Sequence, residues 1–251
     1  MATNIIYKSE KKTIYLDNDK IIKCYNASSD ISLILNEALN LAKVYKAGLN
    51  VSNVHEVKNY NDGIGIVMDY IEGQSLLDLI KNNKKNLTQY INVFANTQHD
   101  IFAKEDLSLN NSYEKIKNKI FASDLPATIK YNLFYRLREM EFAHDIIHGD
   151  YNLSNVIITK DKTPYIIDWS HAAFGNKKFD IAVTYVLFDI KHENEMADIY
   201  LDSICKLESI DKELIFRFII LAYIYIVDRY NEETKKDIYD KVFGLLKKEE
   251  A

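Results

Sequence analysis

Short apolar runs divided by polar residues read as β-strands over the first 26 residues. Residues 5–8 (IIYK) and 13–17 (TIYLD) are separated by the polar residues 9–12, and residues 20–25 (KIIKCY) follow the turn Asp17-Asn18-Asp19. The pattern then becomes helical. Leu35, Ala38, Leu39, Ala42 and Val44 recur at helical spacing behind the N-cap candidates Ser28, Ser29 and Asp30, with Gly48 as the stop. Strand patterns return at residues 51–60 and 64–70, divided by Asn61-Asp62-Gly63, a hairpin signal. After Gly73 the pattern turns helical over residues 75–83, 87–102, 113–120 and 126–145, with Pro126 suited to a first helical turn. Short strands interrupt at residues 155–159 and 165–169, and helical periodicity resumes from Phe179 to the end, where the terminal KKEE reads as a frayed, solvated helix end. The expected class is α+β: residues 1–72 as a small antiparallel-sheet part with one main helix, and residues 73–251 as a larger, mostly helical part.

Composition narrows this picture. The chain has 251 residues, 47% of them hydrophobic, enough for one large domain or two lobes sharing a cleft. Glycine (7) and proline (2) are scarce, which favours helices over tight turns. The net charge of −5 and pI of about 5.7 leave no basic field for non-specific nucleic-acid binding. An anionic substrate would need a few placed cations and a metal. Cys24 and Cys205 make no disulfide framework and read as buried thiols. The amino-terminal stretch lacks the apolar run of a signal peptide, and the most apolar segment, residues 216–227, is too short to span a bilayer and contains Arg217. A cytoplasmic protein with no membrane partner is the expectation.

The chemistry concentrates between His148 and Asp180. His-Gly-Asp is followed by four residues and Asn155, and a strand then ends in Asp168-Trp169. Phosphoryl transfer from ATP needs a carboxylate to orient the attacking hydroxyl and take its proton, and oxygen ligands for Mg2+ on the phosphates. Asp150 and Asn155 are five residues apart on one loop and can face the same point. Asp168, at a strand end, is a natural metal ligand. The missing cation lies upstream: Lys23 sits in an apolar strand, and an inward-pointing lysine needs an anionic partner. Glu37, in the following helix, is suited to pair with it and hold it toward the phosphates. The segment GIVMDYIEG reads as a strand and linker whose backbone receives an adenine, at the Asp69 carbonyl and the Ile71 amide beside Met68.

These residues, in this order, resemble the aminoglycoside phosphotransferase/choline kinase family of protein-kinase-like small-molecule kinases. The resemblance spans nearly the whole chain: Lys23, Glu37, VMDYIEG, HGDYNLSN, IIDW and FDIA. It implies a bilobal kinase-like fold with ATP and Mg2+ as cofactors. It implies that Asp150 is the catalytic base, that Asn155 and Asp168 ligate magnesium, and that Lys23 pairs with Glu37 and contacts phosphate. His148 would be structural, and Asp180 would brace the catalytic loop through hydrogen bonds. No glycine precedes Gly48, so Ser9 and neighbouring amides would cover the phosphates.

Other classes lack their signatures. There is no GxxxxGK[ST], no GxGxxG and no HExxH, and the remaining histidines show no zinc-ligand spacing. A protein kinase is the nearest rival, but the loop is HGD rather than HRD, Asp-Trp replaces DFG, and Asp168 and Asp180 stand only twelve residues apart. A kinase-shaped module without catalysis predicts loss of the base or a metal ligand, and both are present. The acceptor is expected to be a small-molecule hydroxyl compound: an aminoglycoside, an amino alcohol such as choline, or a sugar. Aromatics and carboxylates near Trp169, His171, Tyr185, Asp189 and Asp228 suit a cationic acceptor.

Overall fold

A computed structural model describes residues 4–61, 63–105 and 108–249. Asp62 of the expected hairpin turn, the first three residues of the amino-terminal stretch and Glu250 of the terminal run lie outside them. In chain order the elements are β1 (Asn4–Lys8), β2 (Lys12–Asp17), β3 (Lys20–Asn26), α1 (Ile31–Lys46), β4 (Val54–Tyr60), β5 (Gly63–Asp69), β6 (Gly73–Ser75), α2 (Leu76–Asn82), α3 (Leu87–Phe102), α4 (Ser112–Ala122), α5 (Ala127–Arg138), β7 (Asp145–Ile147), β8 (Val156–Thr159), β9 (Pro164–Ile166), β10 (Ala173–Gly175), α6 (Lys177–Ile190), α7 (Asn194–Glu208), α8 (Lys212–Phe216), α9 (Ile219–Ile226) and α10 (Glu232–Glu249). They group into two compact units, residues 1–84 with 153–172, and residues 85–152 with 173–251. The segment 153–172 thus packs with the amino-terminal residues, on the other side of a cut at residue 72.

The first unit holds an antiparallel five-stranded sheet in the order β1-β2-β3-β5-β4. Strand β3 is flanked on both sides, with Lys23 opposite Ile14 of β2 and Ile66 of β5. Asp30 caps α1 by accepting the Ser32 N–H at 2.8 Å, and Gly48 closes it in the left-handed region (φ 83°), which glycine enters without steric cost. The helix buries Ile34, Glu37, Ala38, Asn40, Leu41 and Val44, while Leu35 and Leu39 face outward. The inward face is therefore rotated from the stripe that apolar residues alone suggest, because a glutamate and an asparagine occupy it. α1 packs on β4, β5 and the 3-10 turn Trp169–His171, where Asn40 Nδ2 donates to the Trp169 carbonyl at 3.2 Å. A second sheet, β6-β8-β9, completes this unit. Gly73 is required in β6, since a Cβ there would lie 2.4 Å from the Ile158 carbonyl oxygen.

The second unit is helical around one apolar core. α3 packs on α7, α6 on α7 and α9, and α4 on α5 and α9. Phe94 of α3 stacks on Tyr151 with centroids 4.3 Å apart and meets Phe188 edge-on at 5.9 Å. The segment 216–227 is not uniform: α8 ends at Phe216, Arg217 follows, and α9 is buried at every position. Among the described residues no helix is long and apolar enough to cross a membrane.

The structure departs from the periodicity in several places. The helical pattern of residues 126–145 ends at Arg138, because the chain must turn into β7. Strand β9 ends at Ile166, two residues short of Asp168, which takes the left-handed conformation (φ 64°). The strand expected from residue 51 begins at Val54. The three-residue strands β6, β7 and β10 carry too few positions to show a period, so they are not legible in the pattern.

At Gly175 in β10, a Cβ would fall 1.9 Å from Ser112 Oγ, inside a side chain that is 1% exposed. Gly175→Ala should therefore destabilise the protein by about 1–3 kcal/mol through overpacking. Denaturant melts check this, and an unchanged midpoint would show that the β10–α4 contact is looser than described.

Candidate active site

In the first unit, period-two alternation on β3 brings Lys23 and Tyr25 to one face. Lys23 is 5% exposed. Its Nζ lies 2.5 Å from Glu37 Oε1 and 2.9 Å from Asp168 Oδ1. Tyr25 donates its hydroxyl to the other Glu37 oxygen, and its ring lies 5.7 Å from the Lys23 ammonium. Lys12 of β2 reaches the second Asp168 oxygen at 3.1 Å, and Ser170 Oγ donates to Oδ1 at 3.1 Å. One carboxylate thus receives two ammonium groups and a hydroxyl. Its backbone is held by neighbours rather than by preference, because an aspartate in the left-handed region is tolerated rather than favoured. Trp169, 1% exposed with Nε1 donating to the Ile166 carbonyl at 3.2 Å, anchors the turn.

Burial alone would lower the Lys23 pKa, but the carboxylates of Asp168 and Glu37 hold it well above the usual lysine value. Burial would raise Asp168, but Lys23 and Lys12 hold it well below the carboxylate range. Asn155 is 8% exposed at the end of the 3-10 turn Leu153–Asn155, and its carbonyl accepts the Ile167 N–H at 2.9 Å. That bond ties the Asn155 backbone to the residue before Asp168. Ser9 lies in the β1–β2 turn, where its N–H donates to the Lys12 carbonyl at 2.8 Å and its Oγ contacts the Lys12 backbone at 3.2 Å. Met68 is buried in β5, and Asp69 and Ile71 are half-buried. The Asp69 carboxylate accepts the Asn53 N–H at 3.3 Å and meets His55 Nε2 at 2.6 Å.

The second unit holds His148, Asp150 and Asp180. Asp180, one turn into α6, is fully buried and accepts the His148 N–H at 3.1 Å, the Gly149 N–H at 2.8 Å and the Gln98 Nε2–H at 3.2 Å. Burial raises its pKa, an effect that nearby His148 and these donors oppose. Gly149 takes φ 73°, which lets both successive N–H groups turn to one carboxylate. His148, also fully buried, accepts the Asp150 N–H on Nδ1 at 3.2 Å. Tyr151 fastens the loop to the core through its hydroxyl, 2.9 Å from the Phe94 carbonyl. Asp150 accepts from Arg229 Nη1 at 2.8 Å.

Sequence reasoning missed Lys12, Tyr25, Gln98 and Arg229. Tyr25 carried a signal, two residues beyond Lys23 on the same strand face; the other three reach their partners across long stretches of chain. The expected acceptor residues are divided between the two units. Trp169 and His171 belong to the first unit, and Trp169 is core. Asp189 of the second unit bonds to the Tyr223 hydroxyl and to Lys241, and Asp228 pairs with Lys119 at 2.6 Å.

Two constellations of this kind, a buried lysine–glutamate pair with a strand-end aspartate and a braced His-Gly-Asp loop, define a phosphotransferase of kinase-like fold. The model of the phosphotransferase enzyme family matches residues 12–213, and the chain belongs to that family. The LicA homolog of Mycoplasma capricolum subsp. capricolum is 30% identical over 169 residues, covering 66% of this chain and 68% of that protein. LicA of Haemophilus influenzae is 25% identical over 181 residues, and the match takes in 67% of this chain but only 51% of that one. Two solved structures share the fold. A thermostable mutant of aminoglycoside phosphotransferase APH(4)-Ia, in ternary complex with AMP-PNP and hygromycin B, aligns over 98% of this chain and 93% of its own with a TM-score of 0.69 at 14% identity. A choline/ethanolamine kinase family protein from Mesorhizobium loti aligns over 98% and 88% with a TM-score of 0.66 at 12% identity.

Removing Lys23 would leave the buried Glu37 carboxylate and the half-buried Asp168 carboxylate short of a partner. Lys23→Met should cost about 3 kcal/mol, the low end for breaking a buried pair, because Tyr25 and Lys12 still bond to Glu37 and Asp168. Asp168 has a depressed folded pKa, so its stabilising charge is present above the ordinary carboxylate value of 3.8 and lost as pH falls below it. Lys23 has a raised one, so its share is present below 10.5 and lost above it. The stability gap between wild type and Asp168→Asn should therefore shrink below pH 4, as read by denaturant titrations; a gap constant down to pH 2 contradicts the ion pairing.

Proposed function

We propose that this protein is an ATP- and magnesium-dependent small-molecule kinase that moves the γ-phosphate to an alcohol. The observation that carries the reading is the buried Lys23–Glu37 pair with Asp168 on the same ammonium. A buried ammonium needs negative charge on it, and a phosphate-binding lysine must in addition be held in place, which the two carboxylates do together. In this reading residues 1–72 bind the nucleotide and residues 73–251 carry catalysis and the acceptor. Lys23 holds the α- and β-phosphate oxygens, with Glu37 as its anchor. Ser9 and its turn cover the phosphates, and the backbone at Asp69 and Ile71, beside Met68, receives the adenine. The reaction belongs to the cytoplasm, where ATP is available.

Asn155 and Asp168 suit magnesium. Both offer hard oxygen donors, and a single carboxylate with an amide leaves positions for water and phosphate, the pattern this ion favours. The two ammonium groups on Asp168 are themselves a sign that its carboxylate attracts positive charge. A metal held by these two residues would supply positive charge against the transferred phosphoryl group. Asp150 aligns the acceptor hydroxyl and takes its proton late in a loose transition state. His148 and Asp180 keep the loop in register, so that Asp150 need not reorganise during transfer.

The acceptor is proposed as an aminoglycoside or an amino alcohol, the classes in the names of the structural neighbours, or a sugar, as the sequence also allows. Screening hygromycin B, choline, ethanolamine and hexoses for ADP release should return one class that turns over. With that acceptor, Asp150→Asn should lower kcat by ~10²–10⁴ while leaving ATP affinity nearly intact. A variant with full turnover would sink the assignment of the base.

A further inference from the structure

Asp150 is gripped from two directions. Asp180 holds the backbone behind it, as described above. From elsewhere in the same unit, Arg229 Nη1 donates to Asp150 Oδ1 at 2.8 Å and Nη2 to the Gly149 carbonyl at 2.9 Å. Arg229 ends the 3-10 turn Val227–Arg229 that continues α9, and its guanidinium lies 5.0 Å from the ring centroid of Tyr225, itself 1% exposed. The Arg229 side chain is 17% exposed.

This is an unfavourable place for a third cation. Lys119 of α4 stands over the same Tyr225 ring at 5.3 Å and pairs with Asp228 at 2.6 Å. One turn earlier, burial first and then the charges of Arg229 and Lys119 push the Lys115 ammonium down to about 8. Arg229 is repelled by both lysines, and its Nε is buried with no hydrogen-bond partner among the described residues. A side chain needed only for packing has no reason to carry a charge here. What the charge gains is the forked contact with the catalytic loop, one branch on its carbonyl and one on its carboxylate.

We propose that Arg229 is a positioning residue for phosphoryl transfer, acting through Asp150 rather than on either substrate. The inference rests on the reading of Asp150 as the base. With Oδ1 held by Arg229 and Asn152 Nδ2 at 3.4 Å from Oδ2, the carboxylate is fixed at both oxygens, and Oδ2 is the one assigned to the acceptor proton. As the new oxygen–phosphorus bond forms, the bond from the γ-phosphorus to the bridging oxygen breaks and ADP leaves with that electron pair. The hydroxyl proton passes to Oδ2, and Arg229 keeps its charge and both hydrogen bonds throughout. Lysine cannot replace it, because a point charge offers no fork that spans carbonyl and carboxylate.

The test is steady-state ADP release from Mg-ATP, with water alone and with choline, ethanolamine and hygromycin B each supplied as acceptor. Misplacing a reacting group by about an ångström costs ~10²-fold, so Arg229→Ala should lower kcat by ~10–100-fold with the KM for ATP unchanged. Arg229→Lys should recover only part of that loss, and free guanidinium ion should partly restore the alanine variant. In an Asp150→Asn background, Arg229→Ala should add nothing, as expected of residues acting as a unit. If Arg229→Ala does not fold, the lysine variant decides: wild-type kcat from it overturns the inference. So does an alanine variant that melts lower but turns over within threefold of wild type while Asp150→Asn is inactive. If Asp150→Asn itself keeps full turnover, the fault lies instead with the reading of the base.

Discussion

A lysine ammonium taken out of water must be met by negative charge, and in this protein that requirement organises the first unit. Lys23 lies in an interior strand of the sheet, nearly inaccessible, with apolar neighbours on both adjoining strands. Its burial is tolerable only because Glu37 comes from α1 and Asp168 from the turn after β9. Three elements distant in sequence are therefore fixed to one atom. The rotation of α1, which turns Glu37 and Asn40 inward and leaves Leu35 and Leu39 outside, follows from the same demand. So does the left-handed backbone of Asp168, which the ion pair, the Ser170 hydroxyl and the buried Trp169 hold together.

The second unit solves the matching problem for an anion. Asp180 is buried with no ion-pair partner among the described residues, and its charge is distributed over two loop N–H groups and an amide side chain. A carboxylate held this way is a rigid post for a loop, because every donor must point at it. The His148-Gly149 backbone can comply only with a residue at position 149 that enters positive φ at no cost. The Asp150 side chain one position later is thus placed by a residue that never reaches it.

Much of this was legible in the chain itself. The five-strand pattern with a helix after the third strand, the spacing of Asp150, Asn155 and Asp168, and a lysine alone among apolar strand residues all mark an α+β fold with phosphoryl-transfer chemistry. The family match and the shared fold of the solved structures agree with that class. What was not legible has a common cause. Lys12, Gln98 and Arg229 matter through partners 156, 82 and 79 residues away, and no local period records such a pairing. The three-residue strands are too short to show alternation. On the acceptor side, Trp169 is buried in the core of its unit, and burial is not recorded in the identity of a lone aromatic.

The central claim is that the Lys23–Asp168 constellation exists to hold a magnesium nucleotide. Calorimetric titration of ATP into the protein, with and without Mg2+, addresses it without knowledge of the acceptor. Wild type should bind ATP with one site, tightly only when Mg2+ is present, and Asp168→Ala should lose that metal dependence. Failure of wild type to bind ATP with Mg2+, or equal binding by the variant, would contradict the account.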